Sequence, residues 1–135
     1  MAADSSRLDE LIALRAREKE EAQRAHTRQV AAQVDEALGA RLLEAMDPSR
    51  EGGWEADLSS AMRRFPFRGT EFHLVVHAIM GSPRVEVELR HADMRYTPLA
   101  RKAPIQEVGE DWFLGSLEAL ANQVRDRLVN PRNFT

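Results

Sequence analysis

The sequence predicts an α+β protein: a long N-terminal helix, a short second helix, an antiparallel β-hairpin or three-stranded sheet, and a C-terminal amphipathic helix packed on the sheet. Three segments carry this prediction: a first one rich in good helix formers, a central one that alternates apolar and polar residues, and a last one with a helical apolar stripe. The 135 residues suffice for one domain. We expect residues 1–29 to form a charged helical arm, residues 30–130 one compact domain, and residues 131–135 a tail.

The N-terminal helix is predicted by residues 6–46, which contain no proline and only one glycine, Gly39. A continuous helix of that length would measure about 60 Å, whereas the rest of the chain makes a globule only about 30 Å across. Either the helix breaks, therefore, or its first half projects. The large apolar residues form a first cluster of Leu8, Leu11, Ile12 and Leu14 and a second, core-facing cluster of Val30, Val34, Leu38, Leu42 and Met46.

A heptad count from Leu8 places Arg15, Glu18 and Gln29 in the core positions of a coiled coil. A long, regular coiled coil is therefore not predicted, although a short contact through the first cluster remains open. Residues 15–29 offer no apolar side chain larger than alanine, so this stretch is not expected to face a core.

The segment after the long helix predicts a loop followed by a second, short helix. Asp47-Pro48 and Gly52-Gly53 favour the loop. The apolar spacing from Trp54 to Phe65 predicts an amphipathic helix, which Pro66 ends.

A β-hairpin is predicted for residues 71–80 and 84–91, which flank Gly81-Ser82-Pro83. Placing Val76 opposite Leu89 also pairs Ala78 with Val87 and Met80 with Val85, so these apolar side chains share one face. Residues 71–80 also fit a short helix, and that alternative stays open.

The C-terminal third predicts more strand and one clear helix. Short strands fit residues 95–99 and 105–108, and a third strand is expected because a lone hairpin is marginally stable. Residues 111–129 then predict an amphipathic helix, in which Gly115 indicates a close backbone crossing. Its apolar stripe comprises Phe113, Leu117, Leu120, Val124 and Leu128.

The amino-acid composition excludes several kinds of functional site. The chain contains no cysteine, which excludes disulfides, thiolate nucleophiles and cysteine zinc sites. Its 17 arginines against two lysines, together with abundant alanine, indicate a bacterial or phage genome of high GC content. The start of the chain lacks the pattern of a signal peptide, and no apolar run would span a bilayer, so a cytoplasmic protein is expected.

The histidines and acidic residues give a weak case for an enzyme. His73 and His77 lie about 13 Å apart on a strand, too far to share one metal ion. His77 is expected opposite Glu88, where the two could act as an acid and a base, but no nucleophile or Gly-rich loop accompanies them. His91 is expected at the edge of the core near Leu74. No catalytic residue, metal or cofactor is therefore predicted.

The segment from Arg63 to Arg68 interleaves aromatic and cationic residues, within a stretch of residues 62–104 that carries eight basic and four acidic side chains. Such a loop can stack bases and contact phosphates, which makes it a candidate nucleic-acid site. The alternative is that the aromatics anchor the chain in the core while the arginines are solvated or pair with acidic neighbours. The candidate residues are Arg63, Arg64, Phe67 and Arg68.

The leading functional hypothesis is a non-enzymatic interaction or assembly module whose N-terminal helix binds a copy of itself or a larger protein complex. It depends on the first cluster (Leu8, Leu11, Ile12 and Leu14), which the body is not expected to reach. A small nucleic-acid-binding regulator is the alternative, and an enzyme around His77 and Glu88 is the second alternative. No membrane partner is predicted.

Overall fold

A computed structural model describes residues 3–46, 53–82, 84–93 and 99–129 of the protein. This part of the chain contains three α-helices and one five-stranded antiparallel sheet, which confirms the α+β class. The sheet is larger than the two or three strands predicted. The elements are α1 (Ala3–Leu38), α2 (Ala40–Met46), β1 (Glu55–Ala56), β2 (Ser60–Phe67), β3 (Thr70–His77), β4 (Glu86–His91), β5 (Ala100–Pro104) and α3 (Glu110–Val129).

The long N-terminal helix is broken at Gly39, whose φ of 90° lies in the left-handed region that glycine adopts without strain. Gly39 donates its N–H to Asp35 O at 3.0 Å and accepts from the Leu43 N–H at 3.1 Å. Backbone hydrogen bonding therefore continues through the break. The change of direction lets α2 bury Leu42 and Met46.

The segment predicted as a short helix from Trp54 to Phe65 is instead two strands, β1 and β2. Burial along β2 alternates, with Ala61, Arg63 and Phe65 buried and the residues between them more exposed. The helix prediction was wrong because a short apolar run fits both periods until its partners are known. Pro66 is tolerated because β1 pairs with β2 only at residues 61 and 62, so no strand that the structure describes on that side needs its missing N–H.

The predicted hairpin is confirmed, because β3 and β4 are antiparallel neighbours, and the alternative helix for residues 71–80 is wrong. The register differs from the prediction by two residues, with Val76 opposite Val87 rather than Leu89. A shift of two keeps every side chain on its predicted face. β3 ends at His77 and β4 begins at Glu86, so the two strands are shorter, and lie further apart along the chain, than predicted.

The hydrophobic core lies along one face of the sheet, and the buried apolar residues of all three helices belong to the same cluster. The ring centroid of Phe113 in α3 lies 5.6 Å from that of Phe65 in β2, which stacks on Phe72 of β3 at 6.0 Å. Fully buried side chains near the centre of this core include Val34, Phe72, Leu74, Val76, Val87, Leu89, Phe113 and Leu120.

The C-terminal third departs from the prediction in two places. Residues Ile105–Glu107 form a 3-10 turn rather than a strand, and the fifth strand begins at Ala100. The predicted strand near residue 95 falls mostly outside the described residues, as do the 131–135 tail and the loop at residues 47–52. The close crossing expected at Gly115 is wrong, since a Cβ built there meets no atom of another described segment within 4 Å.

None of the helices that the structure describes is both long and apolar enough to cross a membrane.

Candidate interaction surfaces

The first half of α1 extends away from the body. Every side chain from residue 6 to residue 22 is exposed, although the helix is continuous to Leu38. We call residues 3–22 the arm. Its four large apolar side chains are 60%, 60%, 68% and 45% exposed, in the order Leu8, Leu11, Ile12 and Leu14.

The arm ends where two polar side chains of α1 bind the backbone of the body. The Gln23 side-chain amide donates to Ala78 O at 2.6 Å and accepts from the Met80 N–H at 2.7 Å, as a neighbouring strand would. Thr27 is fully buried and its hydroxyl lies 2.8 Å from Leu58 O. The contacts that attach α1 to the rest of the fold therefore begin at Gln23, within residues 1–29 that the sequence predicts as the arm.

Neither contact follows from the apolar pattern of the sequence, because both side chains are polar. Gln23, Thr27 and Val30 follow one another at spacings of four and three residues, so they lie on the same side of α1 as Val34 and Leu38. Uncharged polar residues at core-facing positions of a helix were the signal that could have identified them.

The basic and aromatic segment from Arg63 to Arg68 is not a loop. It lies in β2 and in the tight turn between β2 and β3, so successive side chains point to opposite faces of the sheet. Arg63 is directed to the core face and only 8% exposed, whereas Arg64 is exposed on the other face. The structure thus separates these two arginines instead of combining them in one patch.

Arg63 belongs to a polar cluster beneath α1. Its guanidinium lies 3.2 Å from both carboxylate oxygens of Asp35, and the Trp54 indole donates to the same carboxylate at 3.0 Å. The guanidinium carbon also lies 5.2 Å from the centre of the Trp54 ring. Asp35 neutralises a charge that would otherwise be buried alone, so this arginine is committed to holding α1 on the sheet.

The remaining residues of the segment are also engaged within the fold. Arg64 forms an ion pair with Glu55 of β1 at 3.3 Å. Arg68 occupies the turn with a φ of 50° and lies 4.9 Å over the ring of Phe67, which is itself packed against the core. This arrangement matches the alternative in which the aromatics anchor the chain and the arginines pair with acidic neighbours.

The proposed acid–base pair is not formed. His77 lies opposite Glu86, two residues from the predicted partner. Glu88 lies opposite Val75 and pairs instead with Arg90 at 3.4 Å and Lys102 at 3.6 Å. These two cations surround its carboxylate, so its environment is that of a structural ion pair.

His73 and His91 also have partners within the fold. His73 lies 3.0 Å from Glu71, on the face of the sheet opposite the core. His91 is opposite Phe72 rather than Leu74, and the two rings meet edge to face with centroids 5.1 Å apart. No group of three or more possible metal ligands occurs among the described residues.

Comparison of the chain with known protein families, with curated proteins and with solved structures finds no match.

Proposed function

We propose that the protein is a non-enzymatic interaction or assembly module that binds its partner through the arm. The observation that carries the proposal is the exposure of four large aliphatic side chains within two turns of a helix that projects from a folded body. Contiguous exposed apolar surface is costly for a soluble protein and is typical of a protein-binding site. The partner-binding residues are Leu8, Leu11, Ile12 and Leu14.

The way α1 is attached supports this role. From Gln23 to Ala3 the helix extends about 30 Å at 1.5 Å per residue. The Gln23 and Thr27 contacts, together with the Asp35–Arg63 pair, hold its second half on the sheet. The arm therefore presents its apolar residues on a stiff helix, and little conformational entropy is lost when it binds.

The charge distribution favours a protein partner over nucleic acid. Of the three arginines in the candidate nucleic-acid segment, Arg63 is buried against Asp35 and Arg64 is paired with Glu55. Nonspecific affinity for nucleic acid requires several free cations on one surface. We therefore assign recognition to the arm and not to β2.

Replacing Leu8, Leu11 and Ile12 together by serine tests the proposal in the full-length chain. We expect the variant to remain folded, as measured by circular dichroism and thermal unfolding. It should lose the self-association that the unmodified chain shows in sedimentation, or the partner proteins that the unmodified chain binds in pull-down experiments.

A matched control carries serine at Ala13, Arg17 and Glu20, which lie on the opposite side of the arm and are also exposed. The control lowers helix propensity in the same place but leaves the apolar cluster intact. If the variant with serine at Leu8, Leu11 and Ile12 keeps the oligomeric state and every partner of the control, the arm is only a solvated extension and the proposal fails.

A further inference from the structure

One side of α1 carries a pattern that repeats every seven residues. The first residues of this pattern belong to the exposed apolar cluster. Counting from Leu8 in steps of three and four, the residues are two leucines, an arginine, a glutamate and two alanines, and all six are exposed. The apolar side chains of the stripe decrease in size along the helix, from leucines at its N-terminal end to alanines at its C-terminal end. These residues are Leu8, Leu11, Arg15, Glu18, Ala22 and Ala25.

We propose that two copies of the chain associate by antiparallel pairing of this stripe, an inference that rests on the arm being the interaction site. A two-fold axis between Arg15 and Glu18 places Leu11 opposite Ala22 of the second copy and Leu8 opposite Ala25. Each large side chain then meets a small one, which lets the two helices approach closely. The stripe is complementary to itself only in this orientation.

The charged residues at the centre of the stripe determine the orientation. In the antiparallel pair, Arg15 of each copy lies opposite Glu18 of the other, so two ion pairs form across the axis. In a parallel pair, Arg15 would meet Arg15 and Glu18 would meet Glu18, which places like charges in contact. The residues that interrupt an ordinary coiled coil therefore specify the antiparallel one.

The body leaves room for this partner. Gln23, Thr27 and Val30 attach α1 to the sheet from a direction about a third of a turn away from the stripe. Ala22 and Ala25 remain exposed beside these anchors, so a second helix can lie along them. The two bodies begin at Gln23 on opposite sides of the axis and are about 20 Å apart along the helices.

One contact beside the stripe is unfavourable, and removing it should strengthen the dimer. The same alignment brings Arg7 near Arg28 of the second copy, and both residues are exposed. Replacing Arg7 by glutamate turns this repulsion into attraction. We expect Arg7→Glu to lower the dimer dissociation constant about threefold to tenfold, because two such exposed pairs form per dimer.

Disulfide trapping tests the alignment directly, because the chain has no cysteine of its own. Leu11→Cys and Ala22→Cys chains, mixed and mildly oxidised, should form a disulfide-linked pair, whereas each variant alone should not. Leu8→Cys with Ala25→Cys is an independent second pair. Trapping of each single variant with itself, and none in the mixtures, would indicate a parallel pair and overturn the proposal.

Sedimentation of charge variants tests the central pairs. Arg15→Glu and Glu18→Arg should each raise the dimer dissociation constant about tenfold or more, and the double variant should restore it, because the exchanged charges meet again across the axis. A full-length chain that is monomeric at every concentration overturns the self-pairing. If the monomeric chain binds a different protein, and replacing Leu8, Leu11 and Ile12 by serine abolishes that binding, the arm keeps its proposed function.

Discussion

The two halves of α1 belong to one uninterrupted helix but have opposite surroundings. From residue 6 to residue 22 every side chain is exposed, whereas between Gln23 and Leu38 the side chains that face the sheet are buried. The first half contains residues of high helix propensity, and the second half contains the stripe that packs on the core. The comparison shows that propensity alone can continue a helix beyond the body once packing has fixed its other end.

The contrast also shows what each half contributes. The second half makes contacts that hold the fold together, through apolar packing at Val34 and Leu38 and through the Asp35–Arg63 pair. The first half makes no such contact among its exposed side chains, so its sequence is free to serve a partner. Substitutions in the two halves should therefore affect different measurements.

The largest effect is expected from truncating a leucine in the second half. Leu38 is 2% exposed, so Leu38→Ala removes buried methyl groups and leaves a cavity, which costs about 2–5 kcal/mol of unfolding free energy. Leu11→Ala is the matched change in the arm, where the side chain is 60% exposed in the single chain, and should change the stability of the monomer by less than about 0.5 kcal/mol. Urea unfolding of both variants measures the difference. Equal losses would mean that the arm folds back as part of the core.

Removing the acidic partner of Arg63 should be almost as costly. Asp35→Ala leaves the guanidinium buried without its counter-charge and frees the Trp54 indole, for an expected loss of about 2–3 kcal/mol. Asp9→Ala makes the same change at an exposed arm position and should be near neutral. Adding Arg63→Met to the Asp35→Ala variant should recover part of the loss. No recovery would indicate that Asp35 acts through Trp54 alone.

Two truncations locate the boundary between the halves. Deleting residues 1–21 should leave cooperative thermal unfolding unchanged, because every side chain that it removes from residue 6 onward is exposed. Deleting residues 1–28 also removes Gln23 and Thr27, which exposes the backbone groups of Ala78 and Met80 and should cost about 1–3 kcal/mol more. If the two truncated chains were equally stable, the body would begin at residue 30, as the apolar pattern alone indicates.

The sequence predicted the parts of this molecule that depend on local pattern. The long helix, the central hairpin and α3 were each indicated by a clear period, and the exposure of Leu8, Leu11 and Ile12 followed from the length of the helix. Residues 54–65 were assigned to a helix because their strand pairing depends on β3, whose position is not visible locally. The commitment of Arg63 to Asp35, 28 residues earlier, could not be predicted for the same reason.

The smallest expected effect concerns the glycine that ends the second half. Gly39 has a φ of 90° and open space around the position of a Cβ, so Gly39→Ala introduces backbone strain and no clash. Gly115 also has open space but lies within α3, where alanine is the better helix former. Gly39→Ala should therefore destabilise the protein by about 1–2 kcal/mol, while Gly115→Ala stabilises it by about 0.5–1 kcal/mol.

Opposite shifts of the melting temperature in these two variants would show that the break at Gly39 is needed to bring Leu42 and Met46 onto the core. Alanine at residue 39 favours continuing α1 straight into α2, and a straight helix would carry both side chains away from the sheet. If Gly39→Ala were as stabilising as Gly115→Ala, residues 40–46 could continue α1 without loss. The second half of α1 would then extend past Leu38, and α2 would contribute little to the core.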